Sequence, residues 1–302
     1  MTRGCEPSTA ASRRLRCAPA ALTAALASPV FARSSDELPE VVVTATRIPA
    51  SVAATPGARV SDAEWQARVQ LAACYRIFAH LGWAELIYNH ISLRVPGPDD
   101  HFLINPFGLH YTEVTASNLV KVDIDGNTIG HSDWPINPAG FTFHGAIHAT
   151  LPDAHCVMHV HTTPTMAVCC LKDGLSFTNF YAAQLWGQVA YHEFEGITVH
   201  RDEGARILAS SGGKPVLLLR NHGPVVIGRS LAQAFNLMWL VQRACEIQVA
   251  SQSLGELQPI TEAALQACVR DSLNFNPKYG AGEDSFAAMQ RLIDRIDPGY
   301  RA

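Results

Sequence analysis

Thirteen histidines stand in this sequence, and two of them, His159 and His161, end the run Val157-Met158-His159-Val160-His161. Side chains along a strand repeat every two residues, so both imidazoles leave the same face, close enough to share one metal ion. Two ligands hold a metal weakly, and a lone His-x-His pair is more often packed or solvated than ligating. A third imidazole, His222, sits in Asn221-His222-Gly223-Pro224, between two apolar runs at 216–220 and 225–227. A turn there aims a side chain at a neighbouring strand end. Three neutral imidazoles suit zinc, iron, cobalt, nickel or manganese and leave positions open to water or substrate, the layout of a catalytic site. His144 and His148, four apart on a helical pattern, are expected in supporting or surface roles, and His155 at the periphery.

The elements that must position these groups begin near residue 60. Ser61-Asp62-Ala63-Glu64 reads as a capping box, and Trp65, Val69, Ala72, Tyr75 and Phe78 recur at helical spacing until Gly82. Residues 91–95 and 102–105 read as strands, and 121–124 runs into the turn Asp125-Gly126-Asn127 as half a hairpin. Asn137-Pro138 and Thr163-Pro164 each set a cap and a helix-compatible proline ahead of helices over 141–151 and 165–171, with the strand 154–161 between them. A turn-rich stretch follows. Strands 216–220 and 225–227 then flank the His222 turn, and Ser230 caps a long helix to residue 254. Residues 255–302 show one helix, 284–296, in what otherwise reads as a tail. Mixed strands and helices, with no GxGxxG after a strand, predict a three-layer α/β/α sandwich around a mixed, largely antiparallel sheet. The expected domain is 58–257, between a leader 1–57 and a tail 258–302.

Composition narrows the partners. The 302 residues suffice for a substantial core, and 23 basic against 27 acidic residues, net −4 with no basic run, give no footprint for nucleic acid or an anionic membrane. No stretch of about 18 apolar residues free of charge occurs, so no spanning helix is expected. A small-molecule substrate or a protein partner is left. Eight scattered cysteines without a CxxC pair read as reduced thiols, as in a cytoplasmic protein. The segment 13–32 nevertheless has the basic and apolar parts of an export signal, ending in Val30-Phe31-Ala32. Behind it, Glu40-Val41-Val42-Val43-Thr44-Ala45-Thr46-Arg47 resembles the start of a TonB-dependent outer-membrane receptor. Nothing downstream resembles a receptor barrel, so the leader is expected to be an upstream start or a fused fragment outside the fold. Genuine export would instead place the protein in the periplasm.

Five segments, in order, resemble the class II aldolase/adducin family. They are Asn89-His90-Ile91-Ser92, Phe102-Leu103-Ile104-Asn105-Pro106-Phe107-Gly108, Glu113-Val114-Thr115-Ala116-Ser117, Cys156-Val157-Met158-His159-Val160-His161-Thr162 and Leu219-Arg220-Asn221-His222-Gly223. The resemblance covers residues 60–255, and 102–120 and 221–223 are closer to the adducin head domain than to the sugar-phosphate aldolases. It implies a three-layer α/β/α fold, a homotetramer, and one divalent metal on His159, His161 and His222, zinc first with iron, manganese or cobalt as alternatives. That metal would polarise a substrate carbonyl. The acidic residue that serves these aldolases as acid and base falls on Gly140, which transfers no proton. The phosphate pocket is altered as well: the family's Gly-Asn matches Asn89-His90, its Thr-Gly turn matches Phe107-Gly108, and its serine pair matches Pro138-Ala139. Those changes remove donors that an anion needs.

An uncharged or carboxylate-bearing substrate is therefore expected, with His90, Ser92, Phe107 and Gly108 as binding residues and Arg94 and Tyr111 as further contacts. Three functions stay open at this point. One is a metal-dependent lyase or decarboxylase acting on a non-phosphorylated carbonyl or hydroxy-acid compound, with no catalytic residue assigned. Another is a non-catalytic adducin-like module for oligomerisation or actin-filament binding, although no basic tail follows the domain. The last is a mononuclear non-haem iron oxygenase.

Overall fold

Ser61 caps helix α1 (Asp62–His80), its hydroxyl accepting the Glu64 amide at 3.1 Å. The return half of the expected capping box does not form. The Glu64 carboxylate turns instead to Arg68 at 3.0 Å and Lys121 at 2.9 Å, two full charges that outbid a backbone amide. Val69, Ala72, Tyr75 and Phe78 are buried as their spacing predicts, while Trp65 is half-buried. This helix opens a computed structural model that describes residues 60–97, 100–198, 200–272, 278 and 280–302. The expected leader, 1–57, lies outside the described residues.

Seven strands form one sheet: β1 (His90–Arg94), β2 (Phe102–Ile104), β3 (Val120–Val122), β4 (Cys156–His159), β5 (Val189–His192), β6 (Val216–Leu219) and β7 (Gly223–Gly228). Their spatial order is β3-β2-β1-β4-β7-β6-β5. Every pairing is antiparallel except β5 with β6. The helices are α2 (Pro138–Thr150), α3 (Thr163–Cys169), α4 (Phe180–Ala183), α5 (Arg201–Ser211), α6 (Leu231–Ser251), α7 (Glu262–Ser272) and α8 (Glu283–Ile296).

Strand alternation sorts the two faces. Ile91, Leu93, Cys156, Met158, Leu218 and Val226 pack with α1, α6 and α8 around Phe78, Phe235 and Phe286. Val157, Leu217, Leu219 and Val225 face the opposite layer, with Phe143 and Ile147 of α2 and Ile207 of α5. The result is the expected three-layer sandwich with a mixed, largely antiparallel sheet. Each of these fully buried aliphatic or aromatic side chains contributes about 1.5–3 kcal/mol of burial free energy.

Three expectations change. The stretch read as turn-rich contains β5 and α5, because the one parallel pairing needs a crossover helix to return the chain to the same end of the sheet. Helix α3 is capped from Thr162 rather than Thr163, and the Thr162 hydroxyl donates to Gln242 at 2.6 Å instead of serving the helix amides. The C-terminal segment holds two helices and a closing 3-10 turn (Pro298–Arg301) rather than one helix in a tail. Phe286, Ile293 and Tyr300 join the main core, the Tyr300 carbonyl accepts the Ala116 amide at 2.8 Å, and Asp297 pairs with Arg76 at 2.8 Å. Among the described residues no helix is long and apolar enough to cross a membrane, and six cysteines stand free.

Candidate metal centre

Strand β4 runs through the middle of the sheet, with β1 on one side and β7 on the other. His159 is its last residue, in register with His90 of β1 and Val225 of β7. His161 lies just past the strand end, two residues on, and keeps the same face. His222 comes from the turn joining β6 to β7, where Asn221 adopts a left-handed φ of 57° and the His222 amide donates to the Leu219 carbonyl at 3.1 Å. Asparagine tolerates that conformation better than most residues. Gly223 is required for a different reason: a Cβ there would stand 2.5 Å from the Val160 carbonyl oxygen, so any side chain would push the turn off β4.

The three rings converge. Their centroids are 4.5 Å apart for His159 and His161, 4.8 Å for His159 and His222, and 4.9 Å for His161 and His222. One ligating nitrogen from each lies within 4.8 Å of the others, and the Nε2 atoms of His159 and His161 are 2.7 Å apart. His159 Nδ1 donates to the Pro224 carbonyl at 2.9 Å, which puts its proton on Nδ1 and turns the Nε2 lone pair inward. Burial, followed by the His161, His222 and His90 charges, drives the His159 pKa well below its usual value. Burial likewise lowers His161, and burial with His161 brings His222 down to about 4. All three are therefore neutral near neutrality, the form that ligates metal, and this donor set fits a divalent ion.

Behind the centre lies a second group that the sequence only hinted at. His90 stacks on His159 with centroids 5.0 Å apart, and its Nδ1 lies 2.9 Å from His144 Nε2. His144 Nδ1 is 2.6 Å from Ser92 Oγ, and that hydroxyl is also 2.7 Å from His148 Nε2. His144 is fully buried and His148 nearly so, which removes the surface role; both support the site from beneath. The signals were present in the i, i+4 spacing of His144 and His148 and in the period-two spacing of His90 and Ser92. Joining them required knowing that α2 lies over β1. His155 is exposed just ahead of β4, at the periphery as expected.

Other expected contacts are distributed unevenly. Ser92 has no exposure and spends its hydroxyl on the two histidines. Phe107 is half-buried and Gly108 exposed, in a turn against the Trp134 ring. Among the described residues no hydrogen bond or ring contact joins that turn to the three histidines. Arg94 donates to the His148 carbonyl at 2.8 Å, and Tyr111 packs edge-on against Tyr75 at 4.6 Å, almost wholly buried. Gly140 opens α2 directly over His90: a Cβ there would lie 2.5 Å from the imidazole. A cleft of about 290 Å³ begins one residue past His161, lined by Trp83, Glu85, Thr162, Gln242 and Glu246 among others.

Residues 69–249 match the family described as class II aldolase and adducin N-terminal domain. The chain belongs to this family. A crystal structure of an aldolase II superfamily protein from Pseudomonas syringae is 41% identical, with a TM-score of 0.75 over 81% of this chain and 98% of that one. L-fuculose 1-phosphate aldolase from Glaciozyma antarctica is 25% identical, with a TM-score of 0.71 over 82% and 96%. Rat alpha-adducin is 42% identical over 78% of this chain, which spans 33% of that protein. Membership thus spans a sugar-phosphate aldolase and an adducin.

Proposed function

We propose that this family member is a metal-dependent lyase or decarboxylase acting on a non-phosphorylated carbonyl or hydroxy-acid compound. His159, His161 and His222 hold one divalent ion in this reading, zinc first. The observation that carries it is the convergence of three neutral imidazoles, one of them with its tautomer set by the Pro224 carbonyl so that a lone pair faces the other two. When bound, the metal supplies Lewis-acid polarisation of a carbonyl oxygen. The chain's own residues hold the ligands neutral by burial, and Phe143 stands edge-on to His159 at 5.4 Å, shielding the ring from water. Phe107 and Gly108 stand where the family's Thr-Gly turn carries a hydroxyl, and neither side chain can donate to an anion, which argues against a phosphate on the substrate. Assembly as a homotetramer belongs to the same reading.

Elemental analysis of protein purified without added metal or nickel resin tests it, beside a His159→Ala/His161→Ala control. About one metal per chain in the parent and little in the control is expected. A parent without metal after reconstitution would sink the enzyme reading. The second reading, an adducin-like module that oligomerises or binds actin filaments without catalysis, is favoured by Gly140 in place of the acid and by the 42% identity to alpha-adducin. Iron in the parent, with oxygen consumption by the Fe(II) form, would move the assignment to an oxygenase.

A further inference from the structure

The hydrogen-bond chain beneath the metal centre has a fixed direction. His148 Nδ1 lies 2.8 Å from the Ala154 carbonyl, which only accepts, so Nδ1 carries the proton and Nε2 keeps a lone pair. Ser92 must then donate its hydroxyl proton to His148 Nε2. With that proton committed, Ser92 Oγ accepts from His144 Nδ1. His144 Nε2 is left as an acceptor, and His90 Nδ1 is its donor. One backbone carbonyl thus sets the tautomer of three imidazoles. The chain ends on the lone pair of His90 Nε2, which makes no hydrogen bond among the described residues. The ring carrying it lies between His159, on which it stacks with centroids 5.0 Å apart, and Gly140, whose lack of a side chain leaves room for it: a Cβ there would stand 2.5 Å from Cδ2 and 2.6 Å from Nε2.

We propose that His90 Nε2 is a fixed hydrogen-bond acceptor for a ligand at the three-histidine centre, so that the site selects a 2-hydroxy acid or hydroxy-carbonyl compound, whose hydroxyl donates, over analogues lacking that donor. This rests on the metal-dependent reading above and narrows its substrate class. His90 makes the contact. Ser92, His144 and His148 are positioning residues that keep the His90 proton on Nδ1. With the tautomers free, His90 would offer a proton as readily as a lone pair, and a ketone or ether would serve as well as an alcohol.

Two measurements on the full chain test this. Histidine ¹⁵N NMR, with and without zinc, reads which ring nitrogen of His90 bears the proton, and the expected answer is Nδ1 in both states. The cobalt(II)-loaded protein, followed by its visible absorption, is then titrated with glycolate and with fluoroacetate, which differ in a hydroxyl against a fluorine. Glycolate should bind roughly tenfold more tightly, the worth of one buried hydrogen bond. Ser92→Ala should narrow that ratio toward parity with metal content unchanged, and Ser92→Thr, which keeps the hydroxyl, should restore it. A proton on His90 Nε2, or equal affinities in the parent, overturns the proposal. A parent that binds no metal sinks the enzyme reading, whereas the NMR result stands or falls independently, so the two failures are distinguishable.

Discussion

Lowering the pH from about 7 to about 5 should cost the folded chain about 2 kcal/mol through His148 alone. The ring is 2% exposed, stacked on Phe102 at 4.3 Å, with Arg94, His144 and His155 around it. Burial first, then the Arg94 and His155 charges, bring its pKa down to about 3 from 6.5, against the pull of the Ala154 carbonyl. The folded pKa lies below the unfolded one, so the unfolded chain takes up the proton first. Stability is therefore complete above the unfolded pKa, falls as the pH drops below it, and levels off below the folded value. At about pH 5 the unfolded ring is about 1.5 pH units past its pKa while the folded ring is still neutral, which gives about 2 kcal/mol. Urea unfolding of the parent and of His148→Phe at both pH values checks this, since phenylalanine keeps the stacking and cannot titrate. The parent should lose about 2 kcal/mol more than the variant between the two conditions. Equal losses would show that the His148 ring does not carry this pH dependence.

Gly223→Ala should lower metal content and cost about 1–3 kcal/mol by overpacking, read by elemental analysis and urea unfolding, because its Cβ meets the Val160 carbonyl at 2.5 Å. Glu64→Ala should destabilise by about 3 kcal/mol, the low end for a buried pair since Lys121 is partly exposed, leaving Arg68 to its two carbonyl acceptors; a loss under about 1 kcal/mol would show that the pair is solvated. Tyr300→Ala should cost about 3–5 kcal/mol in the same assay, as for other large buried aromatics, and a neutral result would mean that the C-terminal turn does not belong to the core.

What the sequence revealed and what it hid follow from the range of the interactions involved. Helix α1 was legible because a cap and a helical stripe lie within 19 residues. The strand pair around His222 was legible because the turn-forming residues Asn221-His222-Gly223-Pro224 stand between two apolar runs, although Gly223 and Pro224 already belong to β7. The three-histidine cluster was legible in part: period-two spacing put His159 and His161 on one face, but His222 joined them through the family resemblance, since no local pattern says that β7 pairs with β4. Strand β5 and helix α5 were missed because four strand residues beside polar turns carry little periodicity, and their reason for existing is β6. The C-terminal core residues were missed for the same cause, their partners being Arg76 and Ala116 far up the chain. The spacing of His90 and Ser92 put both on one strand face, but the bonds of Ser92 to two histidines were hidden, because a serine inside an apolar strand looks the same whether or not a helix covers it.

His159 and the carbonyl that orients it, on Pro224, are 65 residues apart along the chain. An ion offered to the unfolded polypeptide meets the adjacent pair His159 and His161 but not the third histidine, which joins them only where β7 lies beside β4. Closing so long a loop carries an entropic cost that the pairing of β7 must offset before the third imidazole is in place. Binding energy that needs all three imidazoles is lost once β7 leaves β4, so a bound ion would oppose the opening of that pairing. A loaded molecule would thus unfold less readily than an empty one, the ion and the β4–β7 pairing each holding the other in place.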